Sequence, residues 1–240
     1  MTRPPRGITV FIPAYNEQDL VVPNVRRVLA FLEDRAAGMP HEVVVGSNGS
    51  TDDTVELLAG LAGDDPRVTW FHLPEKGVGA AFREGVRRAR YDRIVTVDMD
   101  LSIDLGFVPR AAALLDTCDV VVGSKITGDQ QRPWLRKSVS NLFISLARVL
   151  LSIHYSDYSI AAKGYRTSLA RQHLHRVDDK TFYVVRVVYH ARQDRRRIVE
   201  IPVDCHDMRG SRFNLLHEGV YKFGNLFLLW ARRVLRGERR

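Results

Sequence analysis

Short apolar, β-branched runs alternate with amphipathic stretches through the first half of this chain, and a polar cluster follows each run. The runs fall at Ile8–Ile12, Glu42–Val45, Val68–Leu73, Arg93–Val97 and Val120–Val122. Between them, Leu20–Leu32, Asp52 or Asp53 through Leu61, Val78–Ala89 and Val108–Leu115 carry apolar residues at helical spacing. Strands alternating with helices predict an α/β domain, a mostly parallel sheet flanked by helices. The second half is less regular. Ser138–Ile153, Thr181–Arg192 and Glu218–Leu235 read as amphipathic helices and Ile198–Val203 as a strand. No Pro/Gly-rich linker divides the halves, so one domain with a helical C-terminal extension is expected.

In an open parallel sheet, ligands bind beyond the carboxyl ends of the strands. The polar clusters lie there: Pro13-Ala14-Tyr15-Asn16-Glu17, Ser47-Asn48-Gly49-Ser50-Thr51-Asp52, Glu75-Lys76-Gly77-Val78-Gly79 and Asp98-Met99-Asp100. Asp98 and Asp100 leave a strand two residues apart. Two carboxylates held close favour a hard divalent cation carrying a diphosphate. Read alone, such a pair also suits a solvated loop. Lys76-Gly77-Val78-Gly79 opens a helix, so it suits either an anion, with Lys76 as a point charge, or a tight turn with close helix packing. It is neither a dinucleotide fingerprint nor a P-loop. Ser47–Asp52 reads as a turn and helix cap, with base or ribose contact as an added role. Asp157 is a candidate base or acceptor-site residue, or else a capping or surface Asp. Arg209 and Arg212, in a Gly/Ser loop, suit a phosphate by charge and fork geometry, or a solvated loop.

Several classes drop out. The chain has 240 residues, with 36 Lys and Arg against 28 Asp and Glu, a net charge of +8. The last ten residues hold five Arg and one Glu, 5 − 1 = +4, so half the excess lies in a tail. No basic stripe interleaved with aromatics runs through the body, so nucleic acid is not an expected partner. Eight His show no metal-like pair, and His173 and His175 are expected on the surface. No zinc site and no serine-hydrolase elbow are expected. Cys118 and Cys205 allow one bridge at most, and suit a reduced pair in a cytosolic setting better. The longest apolar stretches fall well short of the roughly 20 residues that span a bilayer. Bulky apolar residues of 218–235 stand beside Arg232, Arg233 and Arg236. That pattern suits either an interfacial helix on anionic lipid or a core-packing helix with a solvated basic end.

Taken together, the clusters resemble the family 2 inverting glycosyltransferases of GT-A fold, nearest to the dolichol- or polyprenol-phosphate mannose and glucose synthases. Val10–Glu17, Asn48–Thr54, Lys76–Ala80 with Gly85, and Asp98–Ser102 look like that family's first four motifs, in order and spacing. Gly123-Ser124-Lys125, Trp134, Arg136, Asn141, Asp157-Tyr158-Ser159-Ile160, and Ile201-Pro202-Val203 with Ser211-Arg212 resemble its later ones. The likeness covers about residues 7 to 215. It departs at Ser47-Asn48, where Asp-Asp is usual, at Ala161-Ala162 for Gly-Phe, at Lys125 for Arg, and at Arg212 for Lys.

The resemblance implies a catalytic domain over 1–215, with 216–240 as a basic amphipathic extension of it. It implies a hexose transfer from a nucleotide-sugar, GDP-mannose or UDP-glucose, to a polyprenyl phosphate. Pro13, Tyr15, Asn16, Glu17, Asn48, Lys76, Gly77, Asp98, Ser102 and Lys125 would bind the donor. Asp98 and Asp100 would hold Mg²⁺ or Mn²⁺. Arg136, Ser138 and Asn141 would meet the acceptor, and Asp100, Asp157, Arg209 and Arg212 would serve catalysis. The enzyme would sit in the cytoplasm, peripheral at the inner membrane face, against anionic lipid. A soluble hydroxyl acceptor, or a non-catalytic sugar-nucleotide binder, is the alternative.

Overall fold

A computed structural model describes residues 4–36, 38–124, 134–158, 160–205 and 215–235; for 134–137 and 215–217 it describes the backbone alone. The described residues hold seven strands in one sheet: β1 (Ile8–Ala14), β2 (His41–Asn48), β3 (Val68–Leu73), β4 (Arg93–Thr96), β5 (Val120–Ser124), β6 (Lys163–Arg166) and β7 (Ile198–Pro202). The order is β3-β2-β1-β4-β6-β5-β7. Pairing is parallel except at β6, which runs antiparallel to both β4 and β5.

The helices are α1 (Val21–Arg35), α2 (Thr54–Asp64), α3 (Val78–Arg88), α4 (Phe107–Leu114), α5 (Trp134–Leu151), α6 (Thr167–His173), α7 (Tyr183–Gln193) and α8 (Leu215–Leu235). Side chains alternate across a strand, so β1 feeds two cores. Ile8, Val10 and Ile12 face α1, α2 and α4. Phe11 faces the layer of α3 and α5 to α8. There Phe82 and Phe11 meet edge to face, 6.3 Å between centroids. Burying a ring such as Phe82 contributes about 1.5–3 kcal/mol.

Sequence periodicity located the parallel strands and missed β6 and α6. β6 is four residues, Lys-Gly-Tyr-Arg, without a β-branched run. Its two flanking partners make it a strand, so tertiary pairing overrides weak local preference. His173 is also a correction: at the end of α6 it is 1% exposed, rather than at the surface.

β1 to β3 wind outward on one side and β4 lies on the other, so the strand order reverses between β1 and β4. The carboxyl ends of these two strands flank the crevice where such sheets take ligands.

Candidate functional site

Four loops meet at the carboxyl ends of β1 to β4, and side-chain hydrogen bonds tie the first three into one framework. Asn48, at the end of β2 and 4% exposed, is the central tie. Its Nδ2 donates to the Ala14 carbonyl at 2.8 Å, and its Oδ1 accepts from Gly77 N–H at 3.1 Å. Gly49 follows at φ +74°, and a Cβ there would stand 2.8 Å from Lys76 N. Asn16 also takes a left-handed backbone, φ 53°. Its N–H donates to Ser50 Oγ at 3.1 Å, and its Oδ1 accepts from Thr51 N–H at 2.8 Å. Glu17 N–H donates to Thr54 Oγ1 at 2.9 Å. Asp52 receives the Thr54 N–H at 3.1 Å as the helix begins. Burial, the largest single influence, raises its carboxyl, and hydrogen bonds from Thr54 and Gln18 outweigh it and hold the group below the usual range. The Ser47–Asp52 segment is thus a turn that also braces the neighbouring loop; the N-cap of α2 is Asp53, without a side-chain cap hydrogen bond.

Lys76 holds its Nζ 3.6 Å from the centre of the Tyr15 ring, so the first and third clusters share a cation–π contact. The amides opening α3 are engaged by protein: Gly79 N–H and Ala80 N–H both donate to Asp179 O, at 2.9 and 3.1 Å. A Cβ at Gly79 would lie 2.0 Å from Asp178 O. Close packing is therefore what this glycine pair provides.

Asp98 and Asp100 are both half-buried at the end of β4. Asp98 Oδ2 accepts from Ala161 N–H at 3.3 Å, and Asp100 Oδ1 from Ser102 N–H at 3.0 Å. The turn between them is anchored to α1 by Asn24 Nδ2, which donates to Met99 O at 2.8 Å. Leu101 completes it with φ 49°. Nearby, the Tyr183 phenol is pushed up by burial first and by Asp98 next. Among the described residues no three His, Cys, Asp or Glu side chains form a complete metal cage. Two carboxylates suit a hard divalent ion, which commonly completes its shell with water and substrate phosphate.

Asp157 is 6% exposed, so it is not a surface residue. Its Oδ1 accepts from Ile160 N–H at 3.3 Å, fixing its own turn. Beneath that turn lies Lys163, 0% exposed. Its Nζ donates to Ile160 O at 2.9 Å and Gly123 O at 3.4 Å. Sequence reasoning missed Lys163, because a lysine in a short unpatterned segment reads as solvated. It also missed Asn24 and the 178–180 loop behind the glycines, whose roles arise only from packing.

The structure thus gathers Pro13, Tyr15, Asn16, Glu17, Asn48, Lys76, Gly77, Asp98, Asp100 and Ser102 at one sheet edge. Ser138 and Asn141 lie on the exposed side of α5. Lys125, Arg209 and Arg212, and the Arg136 side chain, lie outside what is described.

A mostly parallel sheet with this order and helices on both faces defines an α/β class. Residues 9–219 match Glycosyl transferase family 2, and the chain belongs to that family. It is 31% identical over 198 residues to the undecaprenyl-phosphate 4-deoxy-4-formamido-L-arabinose transferase of Edwardsiella ictaluri, covering 82% of this chain and 59% of that one. It is 25% identical over 235 residues to glycosyltransferase AglD of Haloferax volcanii, covering 95% of this chain and 38% of that one. The chain therefore spans less than two thirds of either relative. Glucosyl-3-phosphoglycerate synthase of Mycobacterium tuberculosis, solved with Mn²⁺ and UDP-glucose, superposes with a TM-score of 0.68 at 19% identity, over 94% of this chain and 79% of that one. TarS of S. aureus superposes with a TM-score of 0.59 at 17% identity, over 95% and 65%. These two likenesses establish the GT-A fold.

Proposed function

We propose that this chain is a metal-dependent inverting glycosyltransferase that moves a hexose from a nucleotide-sugar to a polyprenyl phosphate. The observation that carries the reading is the Asp98/Asp100 pair, fixed at the switch point of a family 2 sheet. The 31% identity to a protein named as an undecaprenyl-phosphate transferase supports the acceptor class. The neighbour holding Mn²⁺ and UDP-glucose makes UDP-glucose the first donor to try, with GDP-mannose next. Residues 1–215 would form the catalytic unit and 216–240 its extension.

Asp98 and Asp100 would hold Mg²⁺ or Mn²⁺. That ion, when bound, offsets the negative charge that builds on the departing nucleoside diphosphate. Pro13, Tyr15, Asn16, Glu17 and Asn48 would shape the nucleotide pocket, with Lys76 beside its phosphates and Ser102 bracing Asp100. Gly77 lets the third loop lie against Asn48. Lys125, Arg209 and Arg212 would close on phosphate oxygens, and Arg136, Ser138 and Asn141 would meet the acceptor. A phosphate monoester has a second pKa near 6, so it is largely dianionic at neutral pH. Its oxygen attacks the anomeric carbon without surrendering a proton, and no base is required. Asp157 then serves by holding the 157–160 turn. A soluble hydroxyl acceptor is the second reading, favoured by burial of Asp157, since a hydroxyl would need a base.

Membrane contact is part of the proposal. Val220, Phe227, Leu228, Val234 and Leu235 on α8, with Leu142 and Val149 on α5, are exposed. These apolar side chains line the solvent side of two helices packed together, as an interfacial surface requires. Among the described residues no helix is long and apolar enough to cross a membrane. Two buried free thiols suit the reducing cytoplasmic face.

The test incubates the full chain with labelled UDP-glucose or GDP-mannose, Mg²⁺ or Mn²⁺, and a polyprenyl phosphate in detergent. Label is expected in the organic phase only when metal and lipid are both present. Label that never leaves the aqueous phase, with every donor, rejects the lipid acceptor.

A further inference from the structure

A cavity of about 430 Å³ lies between α7, α8 and the loop that follows the 3₁₀ turn Leu174–Arg176. It shares no residue with the loops at the strand ends. Its walls carry four guanidinium groups, Arg176, Arg186, Arg232 and Arg233, against one carboxylate, Asp178. With the histidines neutral the lining charge is 4 − 1 = +3.

That carboxylate is occupied. Asp178 Oδ2 accepts from Tyr221 O–H at 2.7 Å, and from Lys180 N–H and Phe182 N–H at 3.1 and 3.3 Å. Its Oδ1 stands 3.5 Å from Arg186 Nε, and both atoms are buried without a hydrogen bond. Arg233 is built in. It is 8% exposed, and its Nη1 donates to Leu150 O at 2.8 Å and Ser152 Oγ at 3.2 Å. Arg176 and Arg232 make no ion pair among the described residues. Burial first, then Arg176, His173, Arg186 and His175, hold the His190 imidazole down to about 3. Arg176 is half-buried and Arg232 exposed, so both line the cavity where solutes reach them. Arginine forks suit the oxygens of a tetrahedral phosphate.

We propose that this cavity binds a phosphate group, as a monoester or diester, at a site separate from the donor crevice. The proposal does not depend on the transferase reading. A phospholipid headgroup reaches the cavity from the leaflet against which α8 would lie; a soluble phosphate ester reaches it from solution.

The test titrates inorganic phosphate and glycerol phosphate into the full chain, with chloride at matched ionic strength as control. The histidine ring resonances in NMR are the readout. A saturable shift of His190 and His175 is expected with phosphate and not with chloride. Each charge-assisted hydrogen bond is worth about tenfold in affinity. R176Q/R232Q should therefore bind at least about tenfold more weakly, and R176K/R232K, which keep charge without the fork, should fall between. Unfolding midpoints and nucleotide titration check that the variants are folded. Flotation with phosphatidylglycerol vesicles, against phosphatidylcholine alone, separates the sources. Weaker retention of R176Q/R232Q on anionic vesicles assigns the site to a headgroup. Unchanged retention with weakened glycerol phosphate binding assigns it to a soluble ester. Absence of a saturable shift, an equal shift with chloride, or a folded R176Q/R232Q that binds as tightly as the unmodified chain overturns the proposal.

Discussion

The Asn48 side chain accepts the Gly77 N–H at 3.1 Å, so the loop after β2 sets the height of the loop after β3. The same amide group reaches Ala14 O at 2.8 Å, so one buried residue spaces three of the four site loops. N48A leaves a buried carbonyl and a buried amide without these partners. It should cost about 2–4 kcal/mol, read as a lower denaturant midpoint at unchanged slope. Nucleotide affinity should fall with it. An unchanged midpoint would show that the loops hold without the tie.

Gly79 sits where a methyl group would meet Asp178 O at 2.0 Å, against backbone that cannot swing aside. G79A should lose about 1–3 kcal/mol, as overpacking does. Because the displaced loop carries Lys76, nucleotide binding should weaken more than in a control G60A, where nothing lies within 4 Å. Equal binding in the two variants would separate the glycine from the site.

D98N and D100N keep the shape and the accepting oxygens that meet Ala161 and Ser102 N–H. Both should fold. Metal-dependent nucleotide binding should be lost, and transfer should fall by about 10²-fold or more. Wild-type metal dependence in both variants would remove the pair from the donor site.

His190 is held down to about 3 from an ordinary 6.5. Burial also lowers His173, the dominant cause, despite Asp194 beside it. The unfolded chain therefore binds protons that the folded one refuses. Their contribution to stability is fully present above pH 6.5 and drains as pH falls toward about 3. H190Q should show a shallower loss of stability across that window, measured by denaturant midpoints. Parallel pH profiles would contradict the shift.

F227E and L228E alter side chains that solvent already reaches on α8. Stability should change by less than about 0.5 kcal/mol. Retention on vesicles should drop in both. A pair of variants that floats as well as the unmodified chain would free α8 from the membrane.

Sequence pattern reached as far as local signals extend. The parallel strands and the four loop clusters were legible because period and punctuation are local. β6 was not, since Lys163–Arg166 becomes a strand only between β4 and β5. Lys163 was hidden for the same reason: only the fold makes it a buried donor to the Asp157 turn. The glycine pair at 77 and 79 was readable as either anion loop or close contact, and the Asp179 carbonyl decides for contact. The cavity beneath α8 gathers arginines that lie far apart in the chain, and no local pattern announces it.

Transfer of the sugar to a phosphate oxygen is read most plainly by phosphorus NMR of the full chain with nucleotide-sugar, divalent metal and polyprenyl phosphate. A new phosphodiester resonance is expected to rise in step with released nucleoside diphosphate, while the polyprenyl monoester signal falls by the same amount. Nucleoside diphosphate released with the monoester signal intact would contradict it.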